Sequence, residues 1–293
     1  MYSNVLLPTD AREGSERAVA HALGIADRYD GRVHALFVTD PTEEQALSGD
    51  ERRELRTVTD AAGRSATERI ATRAAEVGVD ASREHRDGVA HEAILTYVDE
   101  AGIELVVMAT RSRSGPDRPR LGSTTERVIR RSAAPVLAVP VGSSDRQPDD
   151  PEELPSYDDV LVPTDGSDGA ERAADSAIAV AERYDATVHA VYVVDEAPMR
   201  YEDAPRSLLG PLEAAGRRAV DEVASLAEEA GLGYTTSVRR GVPFREILDR
   251  GERIDADLVA MGTRGRTGRP AVLLGSTTAR VLRHSSIPVL ASR

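Results

Sequence analysis

Cysteine and lysine are both absent from the 293 residues of this chain. Without cysteine there are no disulfides, no thiolate metal sites and no cysteine nucleophile. Without lysine, all 37 basic residues are arginine. That excludes a Walker-type phosphate lysine, a Schiff-base amine and the lysine of receiver domains. Long apolar runs are missing too. Nowhere do about 18 apolar residues occur together, and the opening MYSNVLLPTD has no basic segment followed by an apolar one. The expectation is a cytoplasmic protein with no membrane partner.

Positive charge is in deficit: 50 Asp and Glu against 37 basic residues give a net charge of -13. This disfavours nucleic acid and anionic membrane surfaces as partners. An acidic, lysine-free composition suits a saline cytoplasm or a high-GC genome, and the saline reading predicts a fold more stable in molar KCl than in dilute buffer.

What the chain does contain is a long-range repeat. Val5-Leu-Leu-Pro-Thr-Asp10 returns as Val160-Leu-Val-Pro-Thr-Asp165, and Val33-His-Ala-Leu-Phe-Val-Thr-Asp40 as Val188-His-Ala-Val-Tyr-Val-Val-Asp195, each 155 positions on. Gly88-Val-Ala-His-Glu-Ala-Ile-Leu95 and Gly122-Ser-Thr-Thr125 return at Gly241 and Gly275, 153 positions on. Matches in one order across a whole half mean domain duplication; periods of 20 to 50 residues would mean a solenoid. The expected domains are residues 1–142 and 157–293. Between them, 143–156 is a polar, acidic linker with prolines at 148, 151 and 155.

Within each copy, short β-branched runs alternate with longer helical-period segments, the pattern of strand–helix units around a parallel sheet. In the first copy strands are expected near 4–8, 32–38, 80–85, 104–109 and 135–139. Val106-Val-Met108 and Val136-Leu-Ala-Val139 are continuous apolar runs, as strands buried on both faces require. The helix after the first strand places Ala18, Ala22, Ile25 and Ala26 on one face. Open α/β sheets bind ligands beyond the carboxyl ends of their strands, at the topological switch point. Chemistry is therefore expected after strands one, two and four.

After strand four the second copy reads Met261-Gly-Thr-Arg-Gly-Arg-Thr-Gly-Arg-Pro-Ala-Val-Leu-Leu-Gly-Ser-Thr-Thr278. Gly262 and Gly265 suit a tight turn, positive φ and close approach to oxygen anions. Nine residues beyond, Gly275-Ser276 opens a helix expected over 277–284, whose free N–H groups and dipole favour phosphate. Ser276 and Thr278 add hydroxyls, and Arg264 and Arg266 add charge. The same residues also fit a plain turn and a serine helix cap.

The spacing GxxG, nine residues, then GS resembles the ATP-binding members of the universal stress protein family, and the resemblance covers both halves. It implies two tandem open-sheet domains, each a five-stranded parallel α/β sandwich of the Rossmann-like, adenine nucleotide alpha hydrolase-like type. It implies ATP or another adenine nucleotide as ligand, with or without Mg²⁺. Carried over by position, the ligand residues are Pro163, Thr164 and Asp165, then Val193, then Met261, Gly262, Arg264 and Gly265, and finally Gly275, Ser276, Thr277 and Thr278. Asp165 suits ribose hydroxyls; it also suits a turn or the cap of the following helix. The family also implies pairing of domains through the last strand, 136–139 with 289–291, as an internal pseudo-dimer.

The first copy departs from the pattern: Ala109 and Ser112 stand where the second has Gly262 and Gly265. Its weaker set is Pro8, Thr9, Asp10, Val38, Met108, Arg111, Gly122, Ser123, Thr124 and Thr125, and weak or no nucleotide binding is expected there. The aspartate pairs Asp10 with Asp40 and Asp165 with Asp195 are read as turn residues rather than metal ligands, and the six histidines show no metal spacing. His34 and His189, repeat equivalents in strand two, are assigned a structural role. Arg127, Arg130, Arg131, Arg280 and Arg283 are assigned to a solvated or ion-paired face. No convincing base lies beside the loop, so the leading reading is a nucleotide-binding stress sensor or regulator. A slow ATPase or phosphotransferase and a nucleotide-free scaffold are the alternatives. A GxGxxG after strand one, an SGGxDS loop and a HIGH signature are all lacking, which sets other nucleotide folds aside.

Overall fold

The computed structural model describes residues 1–12, 15–41, 47–110, 121–141, 154–196, 209–265 and 274–293. The chain divides into two compact units, Met1–Pro155 and Ser156–Arg293. Among the described residues, no helix is long and apolar enough to cross a membrane.

The first unit runs β1 (Asn4–Thr9), α1 (Glu16–Arg28), β2 (Arg32–Thr39), α2 (Gly49–Glu76), β3 (Asp80–Asp87), α3 (Ala90–Glu100), β4 (Leu105–Thr110), α4 (Ser123–Arg131), β5 (Val136–Pro140). The second repeats this order as β6 (Asp159–Pro163), α5 (Asp168–Tyr184), β7 (Thr187–Asp195), α6 (Leu209–Glu229), β8 (Tyr234–Gly241), α7 (Pro243–Arg253), β9 (Leu258–Gly262), α8 (Ser276–His284), β10 (Val289–Ser292). The strands lie in the order β3-β2-β1-β4-β5 in one unit and β8-β7-β6-β9-β10 in the other. Within each unit, the described pairs are all parallel. Each unit is thus the five-stranded open α/β sandwich expected from the alternation of strand and helix patterns.

Burial explains which strands are central. Val5, Leu6, Leu105, Val106, Val107 and Val139 are fully inaccessible, as are Val160, Leu161, Val162, Val259 and Ala260. The edge strands β3 and β8 are mostly polar and exposed. Because parallel crossovers are right-handed, α1 and α2 cover one face and α3 and α4 the other, and likewise in the second unit. The apolar stripe read on α1 is buried as expected, with Ala18, Ala22, Ile25 and Ala26 all 3% exposed or less.

Two aromatic pairs fall at equivalent places. Tyr2 meets Tyr29 edge-on at 5.3 Å, and Tyr157 meets Tyr184 at 4.9 Å. Each pair ties the start of the first strand to the end of the first helix, a contact worth about 0.5–1.5 kcal/mol beyond burial. In both units the strand order reverses between the first and fourth strands. The crevice beyond their carboxyl ends is where a ligand would find backbone from two diverging connections.

Candidate functional site

The turn after the first strand has the same construction in both units. Gly166 N donates to Thr164 Oγ1 at 3.1 Å and Ala11 N to Thr9 Oγ1 at 3.2 Å. Asp165 Oδ1 accepts from Ser167 N at 3.1 Å, as Asp10 Oδ1 does from Arg12 N at 3.2 Å. Gly166 is left-handed at φ 69°, and so is Ala11 at φ 60°, where a Cβ is strained. Beyond this turn the units part. In the second, Ser167 donates to Asp165 Oδ1 at 2.6 Å and caps α5 by accepting from Ala170 N at 3.4 Å. In the first, the Arg12 side chain pairs with Asp10 at 3.7 Å, and α1 begins three residues later than α5 relative to the repeat.

Gly262, the last residue of β9, faces that first turn of α5. A Cβ at 262 would stand 2.6 Å from Gly169 O and 3.1 Å from Ala170 N, and one at 169 would stand 2.8 Å from Arg264 O. Gly265 lies against the Asp165 carboxylate. Neither Gly262 nor Gly265 has positive φ. This corrects the reading that they supply left-handed turns. They are glycines because protein backbone and a carboxylate crowd their α-carbons, which brings the strand-one turn and the strand-four exit into contact. Ala109, at the position of Gly262, likewise has no positive φ.

The second half of the loop presents a helix end. The N-cap of α8 is Gly275, with no side-chain cap, and the helix starts at Ser276. The serine cap considered above is therefore not made. Gly122 stands in the same place before α4, also without a side-chain cap. Leading amides at both ends are left without a capping side chain, and the helix dipole points its positive end there. Thr278 has a different task. Its hydroxyl is buried and donates to Gly262 O at 2.8 Å, as Thr125 donates to Ala109 O at 3.3 Å. This bond fastens the helix to the strand end and engages the hydroxyl that was expected to face phosphate. Ser276 is exposed and Thr277 half-exposed, whereas Arg264 is half-buried.

Thr164 N donates to Val191 O at 2.9 Å, closing the β6–β7 ladder. Two residues on, strand alternation directs the backbone of Val193 the same way, beyond the end of β6. Pro163 and Met261 are buried strand residues beneath the crevice. In the first unit Pro8, Thr9, Val38, Met108, Gly122, Ser123 and Thr124 occupy the equivalent places. Arg111, Ser112 and Arg266 lie outside the described residues, as does most of 143–156. Sequence reasoning passed over Ser167 and Gly169; the signal was present in Asp165-Gly-Ser-Asp-Gly169, a capping serine followed by a second glycine.

Asp40 Oδ2 accepts from Ala90 N at 3.4 Å. Among the described residues no cluster of three or more acidic, His or Cys side chains could hold a metal. Arg130 pairs with Glu126 at 3.3 Å, while Arg280 stacks over Phe244 at 5.2 Å. Arg131 meets His91 at 3.3 Å, and burial, followed by the charge of Arg127, lowers the basicity of that histidine.

The model of the universal stress protein family matches residues 1–140 and 156–293. The chain belongs to the universal stress protein family. A universal stress protein of Methanocaldococcus jannaschii is 40% identical over 137 residues, covering 46% of this chain and 81% of the relative. One from Mycobacterium bovis is 30% identical over 198 residues, covering 65% and 62%. The crystal structure of a universal stress protein from Archaeoglobus fulgidus matches 100% of this chain and 99% of its own at a TM-score of 0.71. At 23% identity that likeness bears on the fold. The tandem arrangement inferred from the repeat is thus that of two universal stress protein domains.

Proposed function

We propose that the second unit binds an adenine nucleotide, ATP foremost, and that the protein acts through this occupancy as a stress-response sensor or regulator. The observation carrying the proposal is the uncapped N-terminus of α8, held at the switch point beside Asp165 and Gly265. The phosphates would lie on the amides of Ser276 and Thr277, with the Ser276 hydroxyl and Arg264 adding a donor and a charge. The ribose hydroxyls would donate to the remaining acceptor capacity of Asp165, and the adenine edge would meet the strand-end backbone of Val193. Mg²⁺ would arrive with the phosphates, since no acidic cluster among the described residues is available to hold it beforehand.

The first unit keeps the helix end but lacks both glycines of the strand-four exit, with Ala109 and Ser112 at the positions of 262 and 265, and its Asp10 is engaged by Arg12. It is therefore the weaker site. Calorimetric titration of the whole chain with ATP and Mg²⁺ in high KCl tests this reading, with Gly265→Asp as the control. Saturation near one site per chain, lost in the variant, supports it. No heat at millimolar ATP overturns it. Time-resolved product formation in the same samples separates a sensor from a slow ATPase.

A further inference from the structure

At the opposite edge of the second unit, the amino ends of its strands, three polar side chains line up across three adjacent strands. Asp159 opens β6, His189 lies in β7 and Thr235 in β8, where Thr235 is the register partner of His189. His189 Nε2 is 2.6 Å from Asp159 Oδ1, and Nδ1 is 2.8 Å from Thr235 Oγ1. A carboxylate only accepts, so Nε2 donates to Asp159; in the neutral imidazole this leaves the Nδ1 lone pair to accept from the threonine hydroxyl. The His189 side chain is 10% exposed, whereas Thr235 sits open on the edge strand. This is a hydroxyl held by a base that is in turn oriented by an acid, the arrangement that activates nucleophiles.

The duplication supplies an internal comparison. In the first unit Ser82, His34 and Asn4 hold the same positions, with Nδ1 at 3.2 Å from Ser82 Oγ and Nε2 at 3.4 Å from Asn4 Oδ1. There the Tyr97 hydroxyl also claims Nδ1, at the shorter distance of 2.9 Å. Asn4 has no charge with which to stabilise an imidazolium, and burial, with the charge of Arg32, pushes His34 below its ordinary basicity. In the second unit the position of Tyr97 is taken by Arg250, on the helix that packs over β7 and β8. Its Nε is buried and has no hydrogen-bond partner among the described residues. The relay of the second unit is thus shorter, carries a carboxylate where the first has an amide, and meets no competing hydroxyl among the described residues.

We propose that Thr235 is an activated nucleophile that accepts an acyl or phosphoryl group from an activated ester. Thr235 Oγ forms the bond to the electrophilic carbon or phosphorus while the bond to the leaving group breaks. The hydroxyl proton passes to His189 Nδ1 and then to the departing group. Asp159 is a positioning residue, fixing the tautomer and balancing the transient imidazolium.

The test incubates the full chain with 4-nitrophenyl acetate, and separately with a fluorophosphonate, and maps the adducts by peptide mass spectrometry. Thr235 is expected to be modified and Ser82 left unmodified. Thr235→Val, an isosteric change on an exposed strand position, abolishes the adduct, and Thr235→Ser keeps it. His189→Gln lowers the rate by about 100-fold, the usual contribution of a general base. Asp159→Asn, which reproduces the first unit, slows labelling at an unchanged melting midpoint, and Asp159→Glu restores the rate. A purely structural aspartate would lower the melting midpoint and leave the labelling rate of the folded protein in place. Equal labelling of Ser82 and Thr235, no adduct at Thr235, or an adduct whose rate is unchanged in His189→Gln would each overturn the proposal. None of these outcomes depends on nucleotide binding at the other edge of the sheet.

Discussion

The Asp165 carboxylate fills the space that any side chain at Gly265 would need. Gly265 has no positive φ and is exposed, so alanine there meets no backbone strain and little packing. The methyl group instead pushes Asp165 from its position above β6. Gly265→Ala is expected to weaken ATP binding about tenfold, equivalent to about 1.4 kcal/mol, with the thermal midpoint nearly unchanged. Calorimetry and a melting curve on the same preparation check the two halves of this expectation. A lower midpoint with unaltered affinity would show the contact to be architectural.

Gly262 calls for the opposite result. Its α-carbon faces the backbone of Gly169 and Ala170, which cannot rotate aside. Gly262→Ala should therefore cost about 1–3 kcal/mol in stability, the usual range for forcing an extra methyl into a packed site. Urea unfolding followed by a probe in the second unit reads this directly. Ala109→Gly in the first unit should bring no matching loss, because alanine is already accommodated there.

His21 lies within α1 at 5% exposure, and burial, with the Arg17 charge, lowers its pKa from 6.5 to about 3. Unfolded, the imidazole takes up its proton near 6.5; folded, it does so only near 3. Between those values the unfolded chain binds more protons, so stability is full above pH 6.5 and falls as the pH is lowered through the window. The slope is at most about 1.4 kcal/mol per pH unit from this group. The equivalent residue in the second unit is Ser176, which donates within its helix to Arg172 O at 2.9 Å. His21→Ser should flatten the acid side of the stability profile, measured as the denaturation midpoint between pH 4 and about 7. An unchanged slope would place the acid sensitivity in the carboxylates.

The fold was largely readable because its signals are local and doubled. Val136-Leu-Ala-Val139 announces a strand buried on both faces, and the repeat of Val5 to Asp10 at Val160 to Asp165 marks the same strand and turn at the start of each unit. The positions of the site residues were legible for the same reason, since strand ends and a Gly-Ser helix start can be counted along the chain. Their individual tasks were not. Whether Gly262 turns left-handed or merely lets α5 approach depends on a residue ninety-three positions earlier, Gly169. The roles of His34 and His189 depend on Tyr97 and Arg250 on a different helix. Such pairings are set by packing across the sheet, which no periodicity in a single segment records.

Thr278 offers the sharpest separation of an architectural from a ligand-facing role. Its hydroxyl donates to Gly262 O at 2.8 Å within a buried environment, while the exposed Ser276 projects from the same helix turn. Thr278→Val keeps the volume and removes the donor, leaving a buried carbonyl unsatisfied at a cost of about 1–3 kcal/mol. Thr125→Val should cost less, because its bond to Ala109 O is longer at 3.3 Å. Thr278→Ser restores the donor and should recover most of the stability. Ser276→Ala is expected to do the reverse, weakening ATP binding several-fold while the denaturation midpoint stays put, since no side-chain cap is lost. If Thr278→Val instead lowered affinity at unchanged stability, its hydroxyl would have to turn toward the ligand on binding, and the fastening of α8 to β9 would fall to the Gly275 N to Thr263 O bond at 2.9 Å.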